Sequence, residues 1–213
     1  MHDAIKKRYD TLAPYVMDAL KKRHFEAYYC QSKEDVLPLV LSMIPKDHTV
    51  SFAGSETVRE LGVIDAIKQN GYTVIDRYTA KTQEERQELM RAALLCDTFL
   101  TSSNAIGADG VLVNIDGNGN RVAAMTYGPR SVIVIAGMNK VVHDRNEAYL
   151  RARHTAAPMN IQRFPGTETP CMKNGVCADC KSDMCICSYI VETRMCRPAG
   201  RIKVILVGED LGF

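Results

Sequence analysis

The sequence predicts an α/β fold with a mainly parallel, Rossmann-like sheet and flanking helices. Short β-rich runs alternate with helical periodicities over most of the chain, the pattern of layered α/β folds. One run, Val132-Ile133-Val134-Ile135, is unbroken β-branched sequence, as found in strands buried on both faces. The third observation is size: 213 residues with 46% hydrophobic content suffice for a full core and suggest one domain over 1–213.

The elements follow in order. Residues 3–23 place Ile5, Tyr9, Leu12, Val16 and Leu20 at three- to four-residue spacing, which predicts a helix, kinked at Pro14. Its clusters Lys6-Lys7-Arg8 and Lys21-Lys22-Arg23 read as a solvated face. A strand is expected over 25–30, then a helix to residue 44 with Ser32 as N-cap and Asp35 three residues on. Strand 49–53 turns at Gly54-Ser55 into a helix over 56–69, broken at Gly62 and closed by Asn70-Gly71. Strand 72–75 and a helix over 82–95 come next, the helix opening on glutamates that suit the positive end of its dipole. Strands are expected at 98–101, 111–115 and 132–136, the last central with parallel neighbours. A helix over 146–157 should stop at Ala157-Pro158. Residues 164–185 are rich in Pro, Gly, Thr, Asp and Cys, and a strand pair near 189–192 and 202–207 should end the fold.

Charge and hydropathy exclude some classes. With 27 Lys+Arg against 25 Asp+Glu there is no electrostatic case for nucleic acid or a membrane surface. No run approaches the ~18 apolar residues of a bilayer span, and the charged N-terminus lacks the apolar core of a secretory signal. A cytoplasmic protein with reduced thiols is expected.

In open α/β sheets, ligands bind beyond the carboxyl ends of the strands, so the loops there are the candidate site. Gly54-Ser55-Glu56-Thr57 leads directly into a helix, where free N–H groups favour an anion. Ser102 to Gly110 follows the strand at 98–101. Asn114-Ile115-Asp116-Gly117-Asn118-Gly119-Asn120-Arg121 follows the next strand. Its Asp-Gly and Asn-Gly steps alone say only turn, but two so close together suit a polar loop folded around a ligand. Lys140, in Gly137-Met138-Asn139-Lys140, could hold a carboxylate or phosphate as a point charge. The candidate binding residues are therefore Gly54, Ser55, Asn104, Asn114, Gly119, Asn120 and Lys140, with Asp109 or Asp116 as candidate base. Gly54, Ser55, Asn104, Asn120 and Lys140 should share one cleft. The five histidines are scattered, with no ligand spacing among them.

The stretch from Thr101-Ser102-Ser103-Asn104-Ala105-Ile106 through Asp109-Gly110 and Asn114-Ile115-Asp116-Gly117-Asn118-Gly119-Asn120-Arg121, then Tyr127-Gly128-Pro129 and Gly137-Met138-Asn139-Lys140, resembles the LUD-domain family of LutC/YkgG-type lactate utilisation proteins. The resemblance covers nearly the whole chain. It implies a fold similar to the NagB/RpiA/CoA-transferase group, whose members bind sugar phosphates or CoA esters at strand ends, with Gly54-Ser55 where those relatives hold phosphate. The chain lacks an obvious nucleophilic Glu in a Gly-rich loop, so glutamyl-thioester acyl transfer is not implied. A small anionic metabolite is the implied ligand, a 2-hydroxy or 2-oxo acid or a phosphorylated relative. Implied partners are the iron–sulfur proteins that accompany the family in oxidising L-lactate to pyruvate. Two alternatives remain open: a non-catalytic redox or docking subunit, and a stand-alone sugar-phosphate isomerase-like enzyme. Homo-oligomer formation is also left open.

Eight cysteines are present, six of them from Cys171 to Cys196 within or beside a Cys-rich segment over 165–200. In the branch of the family with such a tail, the pattern resembles Cys171, Cys177, Cys180 and Cys187, leaving Cys185 and Cys196 as extras. Four close thiols on an irregular loop can close around one centre. An iron–sulfur cluster suits a single wrapping segment; zinc is the alternative, although only one Cys-x2-Cys knuckle is present. Redox thiols and free thiols are also open. Cys30 and Cys96 read as ordinary buried residues.

Overall fold

The computed structural model describes residues 1–213. Ten strands form: β1 (Glu26–Cys30), β2 (Thr49–Phe52), β3 (Thr73–Ile75), β4 (Thr98–Thr101), β5 (Ala105–Gly107), β6 (Leu112–Asp116), β7 (Ser131–Gly137), β8 (Val141–Val142), β9 (Tyr189–Thr193) and β10 (Ile202–Val207). The helices are α1 (Asp3–Lys22), α2 (Val36–Met43), α3 (Glu56–Glu60), α4 (Val63–Gln69), α5 (Gln83–Ala92), α6 (Asn120–Thr126), α7 (Arg145–Arg151), α8 (Ala157–Ile161) and α9 (Pro170–Asn174).

The main sheet has six strands in the order β1-β10-β7-β4-β2-β3, and every pairing in it is parallel. β7 lies inside it, between β10 and β4, and all seven of its residues are buried. Alternation along the strand explains why the β-branched run was needed. Val132, Val134 and Ala136 pack on the face that buries Tyr9, Val16 and Leu20 of α1. Ile133 and Ile135 pack on the other face with Val36, Val40 and Ile67 of α2 and α4. Each of the Val and Ile side chains contributes about 1.5–3 kcal/mol through burial. No helix is long and apolar enough to cross a membrane.

A second, four-stranded sheet, β8-β5-β6-β9, sits beside the first. β6 pairs antiparallel with both β5 and β9, and β5 pairs parallel with β8. Its inner face, with Val111, Val113 and Ile115, packs on Ala148, Ala152 and Ala157. Two expectations are corrected here. The strand foreseen at 111–115 is real but belongs to this smaller sheet. The closing strands do not pair with each other: β10 enters the main sheet between β1 and β7, while β9 joins β6. Burial decides the split, since β10 is buried at five of six positions and β9 is partly or fully exposed throughout.

Pro158 does not end a helix. After α7 the chain widens into a π turn at Ala152–Ala156 and re-enters α geometry, with Pro158 in the first turn of α8, where a missing N–H is tolerated. α1 likewise runs through Pro14. The unforeseen helix α6 is closed by the buried Arg201. Its guanidinium donates to the carbonyls of Met125 at 2.8 Å, Ala124 at 2.9 Å and Pro129 at 3.1 Å, so a cation meets the negative end of that helix.

Candidate functional site

The carboxyl ends of β2, β4 and β7 open on one cleft of about 590 Å³. Gly54 and Ser55 follow β2, Ser102 and Asn104 follow β4, and Lys140 follows β7; all five line the cleft. Asp116 and Asn120 enter from the connection between β6 and α6.

The remaining candidates lie elsewhere. Asn114 is 1% exposed and sits beneath the surface, its Oδ1 accepting from the Asn104 N–H at 3.3 Å and from Arg121 at 3.0 Å. Gly119, with φ near 79°, starts α6 against Tyr189, whose ring would stand 3.1 Å from any added Cβ. It therefore serves as a left-handed turn that a side chain would strain. Asp109 is not part of the cleft lining. It pairs with Arg23 at 3.4 Å, and its carbonyl accepts from the same guanidinium at 2.6 Å. The turn between β5 and β6 carries it to the end of α1, away from the strand ends, so the geometry gives it no place as a base in this cleft.

Asp116 faces the cleft but is engaged. One carboxylate oxygen accepts from the Gly119 N–H at 3.2 Å; the other accepts from the N–H groups of Arg121 at 3.1 Å and Val122 at 3.3 Å. It thus caps α6, and the Arg121 guanidinium lies 3.6 Å away. Arg121 binds the site loops together, donating to the Ser102 carbonyl at 3.1 Å and to Asn104 Oδ1 at 2.8 Å. Burial works against its charge, and Asp116 partly restores it. Ser55 caps α3 by accepting from the Val58 N–H at 3.3 Å.

The free cations at this site are arginines that no local motif marks. Arg77 and Arg86 line the cleft and stack on the Tyr78 ring at 5.2 and 5.5 Å. Neither forms a salt bridge, and Arg77 Nε is buried without a partner. Gly54 makes room for Arg77, since an added Cβ would come within 2.5 Å of its Nη2. Arg163, by contrast, is paired with Glu56. These arginines lie in charged surface turns and helices, where an Arg in sequence signals nothing; only Arg121, inside the Asn-Gly run, carried a hint.

Lys140 is 4% exposed. Its Nζ donates to Thr57 Oγ1 at 2.8 Å and Ser102 Oγ at 3.0 Å, and no carboxylate pairs with it. Burial pushes the amine down to about 7, with Arg151 and Arg121 pressing the same way and Glu60 opposing.

A second cavity of about 440 Å³ adjoins the cleft. Cys171, Cys177, Cys180, Cys185 and Cys187 all line it, carried on a segment whose only regular element is α9. Cys185, read from sequence as an extra, thus faces the same space, whereas Cys196 is buried in the main core, its Sγ accepting from the Ile202 N–H at 3.2 Å. Burial and the neighbouring Cys185, Cys177 and Cys171 push the Cys187 thiol up to about 12. At Cys177, burial is outweighed by hydrogen bonds from Arg153 and the Asp179 amide, which hold the thiol below its ordinary value. Such a thiol has more thiolate character than Cys187, which burial pushes the other way. Five soft donors on one cavity fit a soft metal chemically. In the present arrangement, however, no three His, Cys, Asp or Glu side chains are grouped closely enough to hold an ion, so the segment must draw inward to ligate one. Residues 185, 186 and 188 line both cavities.

Comparison with known proteins places this geometry in context. The LUD domain model matches residues 14–207. No curated protein matches the sequence. Among solved structures, a DUF162 family protein from Deinococcus radiodurans is similar over 93% of this chain and 98% of its own, at 12% identity and a TM-score of 0.54, a likeness of fold. eIF2B delta from Chaetomium thermophilum aligns over 56% of this chain and 51% of its own, with 19% identity and a TM-score of 0.35. A chain of the tetrameric eIF2B-beta2-delta2 complex from C. thermophilum aligns over 81% and 54%, with 15% identity and a TM-score of 0.41.

Proposed function

This chain belongs to the LUD domain family, and on that premise we propose that its strand-end cleft binds a small anionic metabolite, a 2-hydroxy or 2-oxo acid or a phosphorylated relative. The role is that of a LutC/YkgG-type cytoplasmic protein acting with iron–sulfur partner proteins in the oxidation of L-lactate to pyruvate. One observation carries the reading: Arg77 and Arg86 face the cleft with no carboxylate to neutralise them. Two guanidiniums held on one tyrosine ring suit a planar carboxylate or a phosphate. Arg121, Asn104 and Asn120 line the same cleft. Asp116, tied up in capping, is a poor base as it stands; it serves by fixing Arg121.

Titration calorimetry with pyruvate and with L-lactate tests this. Both are expected to bind, and Arg86→Gln should weaken binding roughly tenfold, the loss of one charge-assisted contact. No heat with either acid or with ribose 5-phosphate, in the parent protein, would remove the cleft as an anion site.

The wall shared by the two cavities favours a second reading, in which the chain is a redox or docking subunit. Cys171, Cys177, Cys180 and Cys187, with Cys185 beside them, would hold an iron–sulfur cluster, or zinc in its place. Bound, an iron–sulfur cluster supplies one-electron transfer; the chain's own part is to present thiols, with Arg153 favouring the Cys177 thiolate. Anaerobically isolated protein should then carry iron with sulfide, or zinc. Cys177→Ser should lose the metal and make 165–200 the first segment cut in limited proteolysis. Protein with neither metal, and a Cys177→Ser variant as protease-resistant as the parent, would exclude a metal centre.

A further inference from the structure

We infer that Lys140 is a nucleophile that forms an imine with a 2-oxo acid bound in the cleft. The inference rests on the anion-binding reading above and adds a covalent step to it.

The hydrogen bonds around Nζ make the case. A neutral amine has four tetrahedral directions: one to Cε, two to hydrogens and one to the lone pair. The two hydrogens have acceptors in Thr57 Oγ1 and Ser102 Oγ. Those hydroxyls direct their own protons elsewhere, Thr57 to the Leu211 carbonyl at 3.3 Å and Ser102 to the Ser103 carbonyl at 3.4 Å. Neither hydroxyl is therefore a donor to Nζ, and one tetrahedral direction is left unengaged, which in the neutral amine is the lone pair. Lys140 lines the cleft, so that free direction belongs to an amine a ligand can reach.

The surroundings favour the neutral amine. No acidic side chain pairs with it. The guanidiniums of Arg121 and Arg151 disfavour its charge, burial does so more strongly, and Glu60 opposes them. A lysine desolvated beside other cations is the arrangement that activates amines for imine formation. Arg77 and Arg86, which line the same cleft without a carboxylate partner, supply what such an amine needs, an anchor for the carboxylate beside the reacting carbonyl.

The step balances without an oxidant. The Nζ lone pair forms a bond to C2 of the 2-oxo acid, and the carbonyl electron pair moves to oxygen, which takes a proton. Nitrogen gives up its protons as the hydroxyl leaves as water, so amine and ketone yield imine and water. Thr57 and Ser102, in hydrogen-bond contact with Nζ, are placed to relay those protons.

The test is reductive trapping of the intact protein with pyruvate and sodium borohydride at pH 7, read by mass spectrometry with peptide mapping, beside calorimetry of pyruvate alone. An amine titrating near 7 is about half neutral at that pH, against well under one part in a thousand for an ordinary lysine. Labelling at Lys140 should therefore exceed that at surface lysines on the order of a hundredfold, L-lactate should suppress it by occupying the cleft without a carbonyl, and Lys140→Met should abolish it. Pyruvate binding with no adduct at Lys140 would overturn the imine and leave the anion site standing. Absence of both binding and adduct would overturn the site and the imine together.

Discussion

Arg121→Met is expected to lower the free energy of unfolding by about 3–5 kcal/mol, the usual cost of breaking a buried ionic network by removing one partner. The guanidinium holds the Ser102 carbonyl, Asn104 Oδ1, Asn114 Oδ1 and, at 3.6 Å, the Asp116 carboxylate. Its loss removes one charge-assisted bond from each of these acceptors, about 1.5–3 kcal/mol apiece, although Asn104 Oδ1 keeps the Ile115 N–H at 2.9 Å, Asn114 Oδ1 the Asn104 N–H at 3.3 Å and Asp116 its backbone donors. Those remaining donors keep the total below the sum. Arg121→Lys should rescue little, because an ammonium cannot span acceptors on both the connection after β4 and the strand β6. Urea denaturation reads the effect directly. A shift under about 1 kcal/mol for Arg121→Met would show that the loops are held by the backbone alone.

The second large effect is pH-dependent. In the unfolded chain Lys140 titrates near 10.4, and in the folded protein burial brings it down to about 7. Below pH 7 both states carry the proton, and the folded state bears the full cost of a buried charge. Between about 7 and 10.4 the folded amine is neutral while the unfolded chain still binds its proton, so this group makes stability rise with pH across that window. The swing amounts to about 4–5 kcal/mol at roughly 1.4 kcal/mol per unit. Lys140→Met removes it. The variant's stability relative to the parent should therefore be greatest near pH 6 and decline steadily towards pH 10. A difference that stays constant from pH 6 to 9 would mean that Lys140 is charged when folded.

Much of the fold was legible because its signals are long or chemically extreme. β7 announced its place through an uninterrupted β-branched run, and the break at Gly62 matches a residue with φ near 62° at the start of α4. The small sheet was not legible: β5 has three residues and β8 two, too few for any periodicity. Pro158 misled because its effect depends on the π turn before it, a feature with no sequence mark. At the site, loops at strand ends could be named from topology, which is why Gly54, Asn104 and Lys140 were found. Asp109 could not be separated from Asp116 in that way, since a two-strand turn sends one to α1 and the other to the cleft. Arg77 and Arg86 were invisible because their meaning lies in what they lack, a carboxylate partner, and absence of a partner is a property of three dimensions.

Cys185, Ile186 and Ser188 stand between two cavities at once, and thermodynamic linkage attaches a consequence to that position. If filling the thiol-lined side repositions these residues and changes the affinity of the arginine-lined side by some factor, then filling the arginine-lined side changes the affinity of the other by the same factor. Neither compartment can be the sender alone. Under such linkage, whatever fills the cleft is felt at the cysteine-lined side as strongly as whatever fills that side is felt in the cleft.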